Sequence, residues 1–508
     1  MTLMNPLNFS ARRSRSRRRG ITILLVLALI SIALATSYAL VRSQITAVQI
    51  ENNSNRSQLA KQAAMAGLSA AMRKMHETAW AGVGTQLTGS LSATERYEAT
   101  FTAGDTTLTV SNPDYGDLPY RVTIVSNGFS TDPSNTQLSS SASVGAVLRL
   151  VPRALGAAPS NWTAVRENTV YQLADTSFSL DVPCRIEGAV RIQSQVKLGS
   201  SLSWNSGARQ RYLGDLNAMR SNGFSDYRPL SGSISMPLSK TDSTTKSLMT
   251  AQLGLTLTDI SATSPPSMML PTQLTTYRIY QGGPSYNVGS LPSNLEDVTI
   301  TPNPATNPLG IYFRSSSGSI RNNANVTGTI IYNGDLSVQG TNLRLAPASL
   351  PNLFGSSDPV CLPATVVNQK CTVVLNSDAS VEGVMLVGRE FEIERGGYGT
   401  RFALTGRVVS QDFTIGRRNE WNFLGLIWDI LYTDFTTQLS STSASRTPYF
   451  PVYINRLGPN YAPNPRLTLK PTATPQLDHW QDLTAPIFVP HASDGGLRWE
   501  VLRCTQDQ

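Results

Sequence analysis

Three observations on this 508-residue sequence predict an α+β module at the N-terminus followed by a mainly-β domain. An apolar run at residues 21–41 leads without a break into a helical pattern that reaches about residue 78. Residues from about 95 to 152 then alternate apolar and polar side chains, the period of half-buried strands. From about 165 to 435, short β runs recur with turn residues between them and little helical signal.

The first element is "ITILLVLALISIALATSYALV", uncharged and closed by Arg42. As a helix rising about 1.5 Å per residue it spans roughly 30 Å, the hydrocarbon thickness of a bilayer. Ahead of it, the basic leader 1–20 carries Arg12, Arg13, Arg15, Arg17, Arg18 and Arg19. Positive flanks are retained in the cytoplasm. The sequence therefore predicts a single pass through the inner membrane, a cytoplasmic N-terminus, and a bulk that is periplasmic or at the cell surface. The formal net charge is +8, from 42 basic and 34 acidic residues. Without the six leader arginines, 36 basic residues face 34 acidic ones, which leaves no basic face for nucleic acid.

The helical pattern continues through "SQITAVQIENNSNRSQLAKQAAMAGLSAAMRKMHETAW", which lacks proline. Leu59, Ala63, Ala66 and Ala70 recur at helical spacing, as do Leu68, Ala71, Met72 and Met75. One helix from about 21 to 78 follows, its first half in lipid and its second half against strands. The expected strands are "RYEATFTA", "TTLTVS", "YRVTIVSNGF" and "SVGAVLRLV", an antiparallel meander that completes a module over 42–153. Turn signals divide them at Gly104-Asp105, Asn112-Pro113-Asp114 and Asp132-Pro133-Ser134.

Gly20 stands between the last arginine and Ile21, where an ordinary membrane anchor has no need of glycine. "RRRGITILLVLALISIALATSYALVRSQ" resembles the leader of type IV pilin-like proteins, and "AKQAAMAGLSAA" is similar to the corresponding stretch of PilX-type minor pilins. The resemblance covers residues 12–80. It implies cleavage by a prepilin peptidase after Gly20, leaving Ile21 as the mature N-terminus. It also implies that residues 21–41 leave the lipid bilayer to contact other pilin-like subunits. Major pilins carry a glutamate at the fifth mature position, which docks on a neighbour's N-terminal amine; here that position is Leu25. PilX-type proteins and the tip pseudopilin of type II secretion share this absence, so the resemblance implies a tip or assembly-priming role.

"PRALGAAPSNWT" (152–163) reads as a linker. Beyond it, "GTIIYNGDLSVQG" and "VEGVMLVGREFEI" show glycine, a β-branched pair, a polar turn and another β pair, with turns at Asn333-Gly334-Asp335 and Gly388-Arg389. That cadence resembles the rungs of a β-solenoid, in particular a right-handed parallel β-helix; an antiparallel sandwich is the alternative. Residues about 205–290 read as an insertion in this domain, with possible helices at "RQRYLGDLNAMRSNG" and "DSTTKSLMTAQLGL". The apolar stretch 418–435 reads as a helix capping an open edge, and 436–508 as a Pro/Ser/Thr-rich extension along the β domain.

Chemistry-bearing patterns are sparse. Cys361 and Cys371 bracket a short loop that a disulfide could close, with isolated buried thiols as the alternative, and Cys184 with Cys504 form a further possible pair. No metal-ligand spacing, nucleophile elbow or phosphate loop occurs, so no cofactor and no enzyme activity are expected. The expected function is a minor pilin or pseudopilin-like subunit of a type IV filament or type II secretion system. Its exposed β domain would serve adhesion or substrate contact, with a surface or secreted ligand. The alternative is a membrane-anchored surface β-helix protein that binds or acts on polysaccharide. Its candidate residues are Asp335, Glu382, Glu390, Glu392, Glu394 and Arg395.

Overall fold

The computed structural model describes residues 17–151, 168–198, 230–348, 363–375, 379–395, 402–415, 467–470, 486–488 and 498–506. Within those spans 78, 136, 177, 181–184, 232, 263–264, 266–269 and 281 are excepted. The expected helix at 209–223, the apolar stretch 418–435, Cys184 and Cys361 lie outside the described residues.

Helix α1 runs from Arg17 to Met75. Every residue from 21 to 50 is exposed, whereas Ala60, Ala63, Ala64, Leu68, Ala71 and Met75 are buried. The buried stripe sits slightly off the expected one, since Leu59 is 36% exposed. Small residues decide this geometry. A Cβ on Gly128 would lie 2.0 Å from the Ala60 carbonyl oxygen and 2.3 Å from the Ala64 nitrogen. One on Gly67 would strike Ser126 and Tyr97. Alanine and glycine let the helix backbone lie directly on the sheet, as at close-packed helix interfaces generally.

That sheet is antiparallel, with β1 (Gln86–Ser90), β2 (Glu95–Ala103), β3 (Arg121–Thr131) and β4 (Ser139–Val151) in sequence order. The meander is four-stranded as expected, with one exchange of members. Residues 106–111 form turns instead of a strand, because the Asp105 carboxylate accepts hydrogen bonds from the Thr107 backbone nitrogen (3.1 Å) and hydroxyl (2.8 Å). Gln86–Ser90 takes the outer place. A fifth strand, Arg498–Gln506, comes from the far C-terminus and pairs with β4. The end of the tail thus returns to the first sheet.

Residues 170–470 supply a second network of 22 strands among the described residues, with every strand pairing parallel. Such pairing is incompatible with an antiparallel sandwich. Strands recur in threes, each pairing with the one three places on. Ile311–Arg314, Thr329–Tyr332 and Thr365–Val367 pair in succession on a first face. Gly318–Ile320, Leu336–Val338 and Cys371–Leu375 do so on a second. Asn325–Thr327, Leu343–Ala346 and the start of Ala379–Arg395 form a third. Chain order and stacking order differ. The series from 289 to 415 comes first, and its last strand, Phe402–Ile415, pairs with Val170–Gln172 and Phe178–Leu180. The earlier segment 170–259 then continues the stack to Thr256–Asp259. Part of the expected insertion therefore belongs to the stack itself. Helix α2 (Ser243–Ala251), which Asp242 caps by accepting from the Thr245 nitrogen at 2.9 Å, inserts Leu248 and Met249 into the inner core at that end.

Corner residues hold the register. Asp297, Asn323 and Asn342, between the second and third faces, all adopt positive φ (53°, 56° and 56°). Short polar side chains tolerate this region. Asn342 donates to Asn323 (3.0 Å), which donates to Asp297 (2.7 Å), so the three corners form a hydrogen-bonded column.

The first face is buried on both sides. Ile330, Met385, Val408 and Val170 point into the stack, while Ile331, Val366, Leu386, Val409 and Tyr171 join the core beneath α1 and its sheet. Continuous apolar runs such as "TIIY" are what a strand covered on both faces requires. The second-face runs "LSV" and "FEI" alternate because their outer side meets solvent.

Gly128→Val should lower stability by about 1–3 kcal/mol by forcing α1 off the sheet. Gly116→Ala, where an added Cβ meets nothing within 4 Å, should change it by less than about 0.5 kcal/mol. Urea unfolding of the detergent-solubilised chain checks both.

Candidate functional site

The surface that stands out is the bare half of α1. Ile21, Leu24, Leu25, Leu34 and Leu40 are 57–69% exposed, an apolar display that water does not tolerate in isolation. The helix is long and apolar enough to cross a membrane. Two of its hydroxyls bond within the helix: Thr36 donates to the Ile32 carbonyl at 2.9 Å, and Thr46 to the Arg42 carbonyl at 2.8 Å. Such back-bonding removes the cost of a hydroxyl in lipid. Gly20 and Ile21 lie within the first turns of this helix. Leu25 is part of the apolar surface, and the first acidic residue along α1 is Glu51.

Behind the bare segment, three devices fix the helix to the rest. Arg56 pairs with Asp132 at the end of β3 (2.8 Å). At the other end of the helix, His76 Nδ1 meets the Met72 carbonyl at 2.9 Å, and its Nε2 accepts from the Trp499 backbone nitrogen at 3.3 Å. Trp80 stacks on Tyr280 (6.4 Å between ring centroids) and meets Phe101 and Trp499 edge-on at 5.4 and 6.2 Å. Beside these rings, Gly82 and Gly282 touch through their backbones, both at positive φ, and the Val83 nitrogen donates to the Gly282 carbonyl at 2.9 Å. Only residues without a Cβ permit that approach.

An ion cluster locks the C-terminal strand in place. Asp105, 2% exposed, receives Arg503 at 2.6 Å and Arg121 at 3.2 Å, while Asp117 sits between Arg121 (3.5 Å) and Arg149 (3.2 Å). Burial alone would raise the Asp105 pKa. Hydrogen bonds from Thr107, the Arg503 charge and the Arg121 hydrogen bond outweigh it and hold the carboxyl below its ordinary value.

Four of the acidic residues singled out in the β domain fall into two groups, Asp335, Glu390 and Glu392 about Lys370 and Glu382 beside Arg344. Lys370 gathers Glu390 (3.2 Å) and Glu392 (2.5 Å); burial opposes its charge, but these carboxylates outweigh that and raise its pKa. Glu382 pairs instead with Arg344 at 3.3 Å, and Asp335 accepts from the Lys370 backbone nitrogen at 3.0 Å. Glu394 and Arg395 end the strand Ala379–Arg395. Cys371 is a buried thiol whose pKa burial pushes up to about 12; Cys361, its expected partner, is outside the described residues. Sequence reasoning missed the roles of His76, Trp80, Asp105 and Arg503. Each works through a partner hundreds of residues away or across a turn, and no local pattern marks such contacts.

No family model matches the chain, and no curated protein matches it. Among solved structures, the competence-associated pilin ComZ from Thermus thermophilus is similar at 11% identity over 89% of this chain and 98% of that one, with a TM-score of 0.21.

The folded Asp105 pKa lies below the ordinary value, so its stabilisation is complete above about pH 4 and is lost as pH falls through the folded value. Asp105→Asn should cost about 3 kcal/mol at pH 7 by stranding buried arginine charge. The gap to the parent chain should narrow below about pH 4. Urea unfolding at pH 7 and pH 3 reads both effects.

Proposed function

We propose that this chain is a pilin-type subunit of a type IV filament or type II secretion pseudopilus, placed at the tip or priming assembly. The observation that carries the reading is the division of α1: residues 21–50 are bare, and residues from 60 onward pack on an antiparallel sheet through alanine and glycine. A helix so divided resides in lipid before assembly and exchanges lipid for neighbouring helices afterwards, with little change in the apolarity around it. Prepilin peptidase cuts after Gly20 on the cytoplasmic side, and Ile21 becomes the mature N-terminus. Leu25 supplies no carboxylate for a preceding subunit's amine, so another subunit can follow this one more readily than precede it.

The three parallel ladders are then the three sides of a right-handed parallel β-helix, the hand that parallel crossovers take in nearly all cases. This domain stands at the filament's outer end and contacts a surface or a secreted substrate. Its residues bind and do not catalyse. The half-buried cluster of Lys370 with Glu390 and Glu392, and the more exposed pair of Arg344 with Glu382, act as structural rungs on separate faces.

Co-expression with a prepilin peptidase tests the reading by N-terminal sequencing and intact mass. A mature chain beginning at Ile21, and a Gly20→Ala variant that keeps its leader, are expected. An intact N-terminus in the parent chain would favour a surface-anchored β protein acting on polysaccharide instead.

A further inference from the structure

The corner between the first and second faces is tight through most of the stack. Three residues make the turn at 315–317, at 333–335 and at 368–370. In the last turns of the stack it lengthens. Residues 173–177 and 192–195 now bridge the faces, and beyond Met236 the chain enters a 3-10 turn, Leu238–Lys240. Corners that no longer stack tightly leave space. A cleft of about 340 Å³ opens there, at the lower end of the roughly 300–1,000 Å³ typical of small-molecule sites.

The cleft has an apolar floor and a polar rim. Leu173, Pro237 and Ile260, all buried, supply the first; Asp175, Lys240, Ser239 and Ser261, with Pro265 beside them, are exposed and supply the second. Lys240 Nζ lies 2.5 Å from an Asp175 carboxylate oxygen and also donates to the Gln193 backbone carbonyl at 3.2 Å. Gln193, which lines the same cleft, is 7% exposed, and its Nε2 finds no acceptor among the described residues. A buried amide donor left open at a cleft wall is costly unless something accepts from it.

We propose that this cleft binds one sugar ring of a neutral saccharide. The Lys240–Asp175 pair neutralises itself, which disfavours a strongly charged ligand, yet it offers a cation and a carboxylate side by side. Vicinal hydroxyls use both: one oxygen accepts from the ammonium and the adjacent hydroxyl donates to the carboxylate. Gln193 Nε2 and the Ser239 hydroxyl donate to the remaining oxygens, while the Ser261 hydroxyl, which donates to Asp259 at 2.6 Å, accepts from a sugar hydroxyl. The apolar face of the ring rests on leucine, isoleucine and proline. The inference deepens the outward-facing role proposed above and rests on that reading for what the cleft meets, not for the binding itself.

Saturation-transfer difference NMR on the full chain tests it, in lauryldimethylamine oxide so that no detergent headgroup is a sugar. The probes are cellobiose, maltose, lactose and N,N′-diacetylchitobiose. At least one should bind, and Lys240→Met should weaken it on the order of tenfold. Ser239→Trp, at an exposed rim position, should abolish binding by filling the cleft while the melting temperature stays unchanged. No transfer to any of the four, or equal binding by both variants, would overturn the proposal. Such a failure in chain still processed at Gly20 would leave the subunit reading intact; sugar binding by chain that is never processed would do the reverse.

Discussion

The structure depends on one parallel face being covered on both sides. Ile331, Val366, Leu386, Val409 and Tyr171 would be an exposed apolar stripe if the parallel stack stood alone. Trp80 and Trp499 of the proximal module, with Tyr280 of the strand Thr276–Tyr280, remove that stripe from water and bury the end of α1. At about 25 cal/mol per Å² of apolar surface, even a few hundred Å² here outweighs any of the exposed ion pairs. The contact is therefore a core, and the anchored helix and the parallel stack share it.

Connectivity reinforces this. Arg498 pairs with Val151, so the chain leaves the first sheet and re-enters it at adjacent points. Everything between is inserted between two neighbouring strands. The sheet acquires its fifth strand only when residues 498–506 are made, and Arg503 reaches Asp105 only then. A chain that stops before residue 498 thus lacks the strand that covers β4. Double attachment also means that a load on the distal part enters the sheet beside α1 through two strands.

Much of this was legible in the sequence, for physical reasons particular to each element. The apolar run 21–41 and the alanine stripe announce α1, because lipid and close packing each demand a narrow composition. The apolar run "GVMLV" beside the alternating "FEI" marks strands with different exposure, and Asn333-Gly334-Asp335 marks a corner. The stacking order was hidden, since nothing local in Phe402–Ile415 says that it adjoins Val170. Residues 106–111 alternate like a strand, yet Asp105 and its partners draw them into a turn. The cleft was hidden too. It arises from loop lengths compared across turns, and Gln193, Lys240 and Asp175 are unremarkable singly.

A shared core requires shared unfolding. Pulsed hydrogen exchange at increasing urea can follow amides of β3 (Arg121–Thr131) and of the first parallel face (residues 384–387) in one sample of the solubilised chain. The account predicts that both sets lose protection in a single transition, and that Trp499→Ala shifts both midpoints together. Two separate transitions, with Trp499→Ala moving only one, would contradict it.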